Sequence, residues 1–216
     1  MPASVKTRRY DSRLRRRQAE ETRQAVLRAA RALFTTRGYA ETSVADVARL
    51  ARVSVDTVYT SVGRKPQLLL AVHDMILGSS DEPVPAEERD YVRQIREAAN
   101  AEDKIRLYAQ ALADLLPRTV PLNEALAEAT RSEPACRELR ESITGRRRGN
   151  MQLLAADLRR TGQLRGELTD EQVADLLWSM NSPEYFRLLA DAGYTPKQYA
   201  HLVADVWTRT LLTPAQ

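Results

Sequence analysis

The sequence predicts an all-α protein of about nine helices, with a tight three-helix unit at the N-terminus and a larger all-helical unit behind it. Three observations carry this. Ala, Leu, Arg and Glu dominate, while the 216 residues hold only 8 glycines and 6% aromatics, a balance that favours helix over sheet. Apolar residues recur at three- and four-residue steps instead of alternating. Helix start signals also recur: Ser or Thr three residues ahead of Asp or Gln, and proline at first-turn positions. No stretch alternates as a strand would, and no segment repeats.

Charge and cysteine content narrow the classes. Residues 1–67 hold 15 Lys and Arg against 6 Asp and Glu; residues 68–216 hold 18 against 23. A basic third joined to an acidic remainder suggests a polyanion-binding module attached to a unit with another partner. The one cysteine, Cys136, excludes an internal disulfide and points to a reducing cytoplasm. No apolar run approaches the roughly 20 residues that cross a bilayer, and the basic start lacks the apolar stretch of a signal peptide. The expectation is a cytoplasmic protein without a membrane partner.

Residues 1–18, MPASVKTRRYDSRLRRRQ, read as a flexible basic arm. The first helix is expected at about 20–37, with Val26, Leu27, Ala30, Leu33 and Phe34 on one face and Gly38 closing it. Ser43 reads as the cap of the second helix, with Asp46 as its box partner and Val44, Val47, Ala48 and Ala51 facing inward. The turn ARVS follows. Ser54 caps the third helix, whose Val58 points inward. A fourth helix starts near Pro66 and covers QLLLAVHDMIL; GSSDEPVPAEE reads as a loop. Helices are expected at about 88–99, 102–116 and 122–132, punctuated by Pro117, Pro121 and Pro134. A long helix over 135–161 ends at Gly162, and TGRRRGN in its middle implies a kink or a break. Thr169 with Gln172 opens the helix that carries Trp178, and Pro183 interrupts or kinks it. Thr195, Pro196 and Gln198 open the last helix.

Two short helices joined by a tight turn make a helix-turn-helix. Ala48 must be small where the helices nearly touch, and Val47, Val53 and Val58 fill the wedge between them. The outer face of the second of the pair stays free. A helix fits the major groove of B-DNA, about 12 Å wide, and reads base edges from its N-terminal part. That face offers Val55, Asp56, Thr57, Tyr59 and Thr60.

The stretch AVLRAARALFTTRGYAETSVADVARLARVSVDTVYTSVGRKPQLLLAV resembles the TetR family of transcriptional regulators. The shared pattern is a helix ending in Gly-Tyr, a Ser-x-x-x-Val-Ala helix, Val-Ser, a Val-Tyr pair, and a Lys before a leucine-rich helix. The tail WSMNSPEYFRLLADAGYTPKQYAHLVADVWTRTLL is similar to the family's closing helices. The resemblance implies an arm at 1–18, a DNA-binding helix-turn-helix domain at 19–67, and a helical ligand-binding and dimerisation domain at 68–216. By position, Ser43 takes a phosphate through its hydroxyl and amide, Tyr59 lies on the DNA backbone, and Lys65 takes another phosphate. Ser54 starts the reading helix. Thr57 and Thr60 are candidates for base edges, and Val55 for a thymine methyl. Asp56 accepts from a cytosine amine or favours the helix N-terminus. Arg13, Arg15, Arg16 and Arg17 are candidate arm contacts. Two positions depart from the family: Arg52 stands where glycine is usual in the turn, and Val62 where an aromatic is usual. At Arg52 either the turn is remodelled or the side chain reaches DNA.

The resemblance further implies a homodimer on a palindromic double-stranded operator, released by a small-molecule inducer, with the fourth helix as relay and no cofactor. Candidate pocket residues are Met75, Tyr91, Tyr108, Trp178 and Tyr185. The candidate dimer stripe is Tyr199, Leu202, Val203, Val206, Trp207 and Thr210, which otherwise faces the chain's own core. An enzyme is the competing class. The only histidines, His73 and His201, lack metal-type neighbours, and no phosphate-binding glycine loop or nucleophile elbow occurs. A helical adaptor or RNA-binding protein using the arm alone is the third class, and would show no preference for a palindrome.

Overall fold

The computed structural model describes residues 5–81, 83–131 and 133–214, with side chains from Leu14 onward. Among the described residues the chain forms ten α-helices, one 3-10 turn and no strand. In order these are α1 (Val5–Arg37), α2 (Val44–Ala51), α3 (Val55–Ser61), α4 (Lys65–Gly78), the 3-10 turn (Ala86–Glu88), α5 (Asp90–Glu97), α6 (Ala101–Ala129), α7 (Pro134–Arg159), α8 (Asp170–Met180), α9 (Pro183–Asp191) and α10 (Pro196–Leu211).

α1 differs from expectation at its start. The segment read as a flexible arm is helical from Val5, and the helix runs 33 residues. No glycine or proline lies between residues 3 and 37, so nothing stops propagation once the apolar stripe from Val26 onward is anchored. Side chains 14–21 of this extension are exposed. The stripe itself is buried: Val26, Ala30, Leu33 and Phe34 meet Val47 and Ala48 of α2, Val58 of α3, and Leu68, Leu69 and Val72 of α4. That cluster also takes in Leu122 and Leu126 of α6 and Cys136, Leu139 and Ile143 of α7. Arg23 of α1 donates to the carbonyl of Ser61 at 2.6 Å, holding the end of α3.

α6 corrects a second expectation. The helices expected at 102–116 and 122–132 are one, with Pro117 and Pro121 inside it. An interior proline costs about 3 kcal/mol in an isolated helix, because an N–H is lost and the ring crowds the preceding turn. The compensation is burial: Leu112, Leu115, Leu116, Val120, Leu122 and Leu126 all lie inside. Side chains also donate to carbonyls along the stretch, Arg118 to Asp114 at 2.8 Å, Thr119 to Leu115 at 3.0 Å and Asn123 to Thr119 at 2.8 Å, but not to those of Ala113 and Pro117, which the prolines leave without an amide partner. α7 likewise passes unbroken through Gly145 and Gly149. Pro183 opens a separate helix capped by Ser182. The capping boxes read at Ser43, Thr169 and Thr195 all form.

The main core lies among α5, α6, the second half of α7, and α8 to α10. It corrects the reading of the α10 stripe. Tyr199, Val203 and Trp207 are fully buried within their own chain. Trp207 stacks on Tyr108 of α6 at 5.8 Å, and the Tyr199 hydroxyl donates to the carbonyl of Met180 at 2.8 Å. α10 packs along α6, which claims the bulky side of the stripe. Only Leu202, Val206 and Thr210 of the stripe keep exposed surface.

Candidate functional site

The first site is the outer face of α2 and α3. Ser43, in extended conformation at φ −95°, caps α2 by accepting from the Asp46 amide at 3.1 Å. Its own amide and hydroxyl donate back to Asp46 Oδ2. These bonds hold the Asp46 carboxyl below the usual carboxylate range. The two donors expected at a phosphate are thus engaged by Asp46. Arg52 ends α2 at φ 58°, ψ 42°, the left-handed conformation that the turn demands and that favours glycine. The turn is not remodelled, and Arg52 is exposed on it.

α3 begins at Ser54, whose hydroxyl accepts from the Thr57 amide at 3.1 Å and bonds the Thr57 hydroxyl at 2.8 Å. Thr60 turns its hydroxyl back to the carbonyl of Asp56 at 2.9 Å, leaving oxygen lone pairs outward. Val58 is fully buried, whereas Val55 and Tyr59 are exposed at 37% and 47%; Asp56 and Thr60 are exposed as well, and Thr57 is half-buried. Tyr59 outside and Val58 inside is the split a groove-reading helix needs. Lys65, the first residue of α4, lies 4.0 Å above the Tyr39 ring and 3.4 Å from the carbonyl of Ala40. The Tyr39 hydroxyl in turn sits 3.1 Å from Cys136 Sγ and 3.2 Å from Glu133 Oε2 of the α7 start. Arg15, Arg16 and Arg17 lie on the exposed α1 extension, where Arg17 pairs with Glu21 at 2.9 Å. The Arg13 side chain lies outside the described ones.

The second site is a cavity of about 1730 Å³ between α4, α5, α6, α7 and α9. Of the five expected pocket residues it is lined by Tyr91 and Tyr108. The other three do not line it. Met75 is sealed with Leu27 and Ala71 in a separate apolar cluster, and Trp178 and Tyr185 pack against the main core. A helix buried on several sides offers more faces than its sequence ranks, and which face meets the void is a tertiary matter. The apolar wall is built from α6 and α7, including Leu112, Leu115, Leu116, Met151 and Leu154.

The polar residues of the cavity are the ones the sequence did not single out as ligands. On α4, His73 and Asp74 line it. Asp74 accepts from Arg146 of α7 at 3.1 and 3.2 Å and lies 3.6 Å from the buried Arg89 guanidinium. Burial pushes the Asp74 carboxyl up, but the neighbouring His73 and Arg146 outweigh it and the group stays below its ordinary range. His73 is only 7% exposed. Its Nδ1 lies 3.8 Å from Asp74 Oδ1, too far for a hydrogen bond, and has no other partner among the described residues. At α8's end, Arg147 donates to the carbonyl of Trp178 and to Asn181 Oδ1, and its guanidinium lies over the Trp178 ring at 5.0 Å. Asn181 passes the network on to the Tyr108 hydroxyl at 2.5 Å. Burial pulls the Arg147 guanidinium below its ordinary pKa. The run TGRRRGN was the available signal. Its three arginines, about 100° apart around the helix, separate into Asp74 for Arg146, the α8 end for Arg147, and Asp175 with Glu171 for Arg148.

No helix of the described residues is long and apolar enough to cross a membrane. Residues 26–72 match the family model described as bacterial regulatory proteins, tetR family. The chain is 30% identical over 166 residues to the HTH-type transcriptional regulator TtgR of Pseudomonas putida, covering 73% of this chain and 75% of that protein. The fold is shared with a putative transcriptional regulator from Saccharomonospora viridis solved in complex with choline (TM-score 0.69, 16% identity, 90% of this chain and all of that one). It is also shared with NalD, the secondary repressor of the MexAB-OprM multidrug efflux pump in Pseudomonas aeruginosa (TM-score 0.66, 19% identity, 91% of this chain and all of that one). The helix-turn-helix with its exposed α3 face, the all-helical remainder and these matches agree: the chain belongs to the TetR family of bacterial transcriptional regulators.

Proposed function

We propose that this regulator is a cytoplasmic repressor that binds a palindromic DNA operator as a homodimer and leaves it when a small molecule fills the cavity. The observation that carries the proposal is the course of α4. Its first residue, Lys65, lies beside Tyr39 next to the helix-turn-helix, and its His73 and Asp74 line the cavity. One helix of 14 residues, about 21 Å long, therefore touches both sites. A ligand that favours a different position of α4 shifts the population of DNA-reading geometries, and the coupling is reciprocal.

In this reading, residues 19–67 bind DNA, helped by the α1 extension, and residues 68–216 take the ligand and the partner subunit. Thr57, Thr60 and Val55 read base edges. Tyr59, Lys65, Ser43 and Arg52 hold the sugar-phosphate backbone, which sets register without reading sequence. Dimerisation uses the outer surface of α10, with Leu202, Val206 and Thr210, since the opposite side is spent on the chain's own core. Two reading heads 34–36 Å apart meet successive major grooves on one side of the duplex.

Selection of bound duplexes from a random pool tests this. The expected product is an inverted repeat bound by two chains, with single-stranded RNA failing to compete. Enrichment of a site without two-fold symmetry, or equal competition by RNA, would overturn it.

A further inference from the structure

Three features of the cavity bear on what it holds. The first is charge balance. Most carboxylates lining it are already matched: Asp74 by Arg146 and Arg89, Asp157 by Lys104 and Arg160, Glu184 by Arg140, and Glu124 and Asp191 by Arg187. Arg147 is not. Among the described residues its hydrogen bonds go to a backbone carbonyl and an amide oxygen, and no carboxylate lies within ion-pair distance. The second is His73, more than nine-tenths buried, lining the same cavity with no hydrogen bond to its Nδ1. A buried polar nitrogen without a hydrogen-bond partner is costly unless something supplies one. The third is the wall. Leucines and methionine from α6 and α7 offer an apolar body site in the same cavity as these polar groups.

We infer that the effector is an amphipathic organic anion, with its acidic group on the Arg147 guanidinium and its apolar body along Leu112, Leu115, Leu116, Met151 and Leu154. The inference rests on reading the cavity as the effector site. A planar guanidinium with neutral partners keeps donors for a carboxylate, and a charge-assisted bond there is stronger than a neutral one. Arg147 also holds the carbonyl of Trp178 and Asn181 at the end of α8, and Asn181 bonds Tyr108 on α6. An anion at this point draws on the same guanidinium that ties α7 to α8. Its neighbour Arg146 holds Asp74 on α4, so a shift of this turn of α7 reaches the relay helix directly.

Three probes with a straight ten-carbon chain and different heads test the inference: decanoate, 1-decanol and decyltrimethylammonium, titrated by calorimetry against the full-length protein. Decanoate should bind at least about tenfold more tightly than either of the others, a difference of about 1.4 kcal/mol. Arg147→Met should erase that preference, Arg147→Lys should restore part of it, and Arg148→Met, which alters the next arginine outside the cavity, should retain it. Equal affinity for the alcohol, tighter binding of the cation, or no binding of any probe would overturn the inference. So would a preference for decanoate that survives in Arg147→Met. If that variant does not fold, the three-probe comparison on the unaltered protein decides alone. Duplex affinity measured without any probe keeps the two readings apart. Loss of site-specific DNA binding counts against the operator proposal, and loss of head-group preference counts only against the anion.

Discussion

Arg146 holds Asp74 with both terminal guanidinium nitrogens, at 3.1 and 3.2 Å, joining the middle of α7 to the helix that begins at Lys65. The Asp74 carboxyl is held below its ordinary range, so it contributes stability above the unfolded carboxylate pKa of about 3.9 and loses it as pH falls through the folded value. Asp74→Asn should lower stability by about 1–3 kcal/mol at neutral pH, because Arg89 and Arg146 lose their anion. In denaturant titrations the gap from the parent protein should close below about pH 4. A gap that stays constant on acidification would show that the effect is not this ion pair.

The turn between α2 and α3 carries a non-glycine residue at φ 58°. Arg52→Gly should raise stability by about 1 kcal/mol, since the left-handed conformation is penalised for a side chain bearing Cβ. If Arg52 also holds a phosphate, the same change should flatten the log–log salt dependence of duplex binding by about 0.9 per subunit. Melting and salt titration report the two effects separately.

Neighbouring residues on α3 should behave oppositely. Tyr59→Ala should leave the melting temperature nearly unchanged, because Tyr59 is 47% exposed, and should weaken duplex binding. Val58→Ala should cost about 1–3 kcal/mol through the void left among α1, α2 and α4. Equal loss of stability in both variants would place Tyr59 inside the fold.

α10 should divide in the same way. Trp207→Ala should destabilise the subunit by about 3–5 kcal/mol, as it empties the site stacked on Tyr108. Val206→Glu should leave the subunit folded and shift sedimentation from dimer to monomer. A Val206→Glu protein that remains a dimer would place the interface elsewhere.

Two glycines give a control on packing. At Gly145 of α7 an added Cβ meets open space, so Gly145→Ala should stabilise the helix by about 0.5–1 kcal/mol. At Gly78, the last residue of α4, a Cβ would fall 2.9 Å from the Val84 side chain. Gly78→Ala should destabilise, as read by thermal melting, because Val84 must move.

Local chemistry made much of this molecule legible. Ser43 with Asp46, Thr169 with Gln172 and Thr195 with Gln198 each form the capping box their spacing implied, since a cap is completed within four residues. The split between Val58, buried, and Tyr59, exposed, followed from the same short range, whereas the positive φ at Arg52 was settled by the structure between the two alternatives the sequence left open. What sequence alone determined was therefore most of the helices, their caps and which side of α3 stays exposed. The tertiary structure decided the rest. It let α6 continue through Pro117 and Pro121, because packing on several sides outweighs a lost backbone bond. It turned Tyr199, Val203 and Trp207 inward, because α6 lies against that side of α10. It also set which polar groups meet the void, bringing Arg147 and His73 to the cavity and sealing Met75 away. A stripe shows that a face must be buried; only the neighbouring helix determines against what.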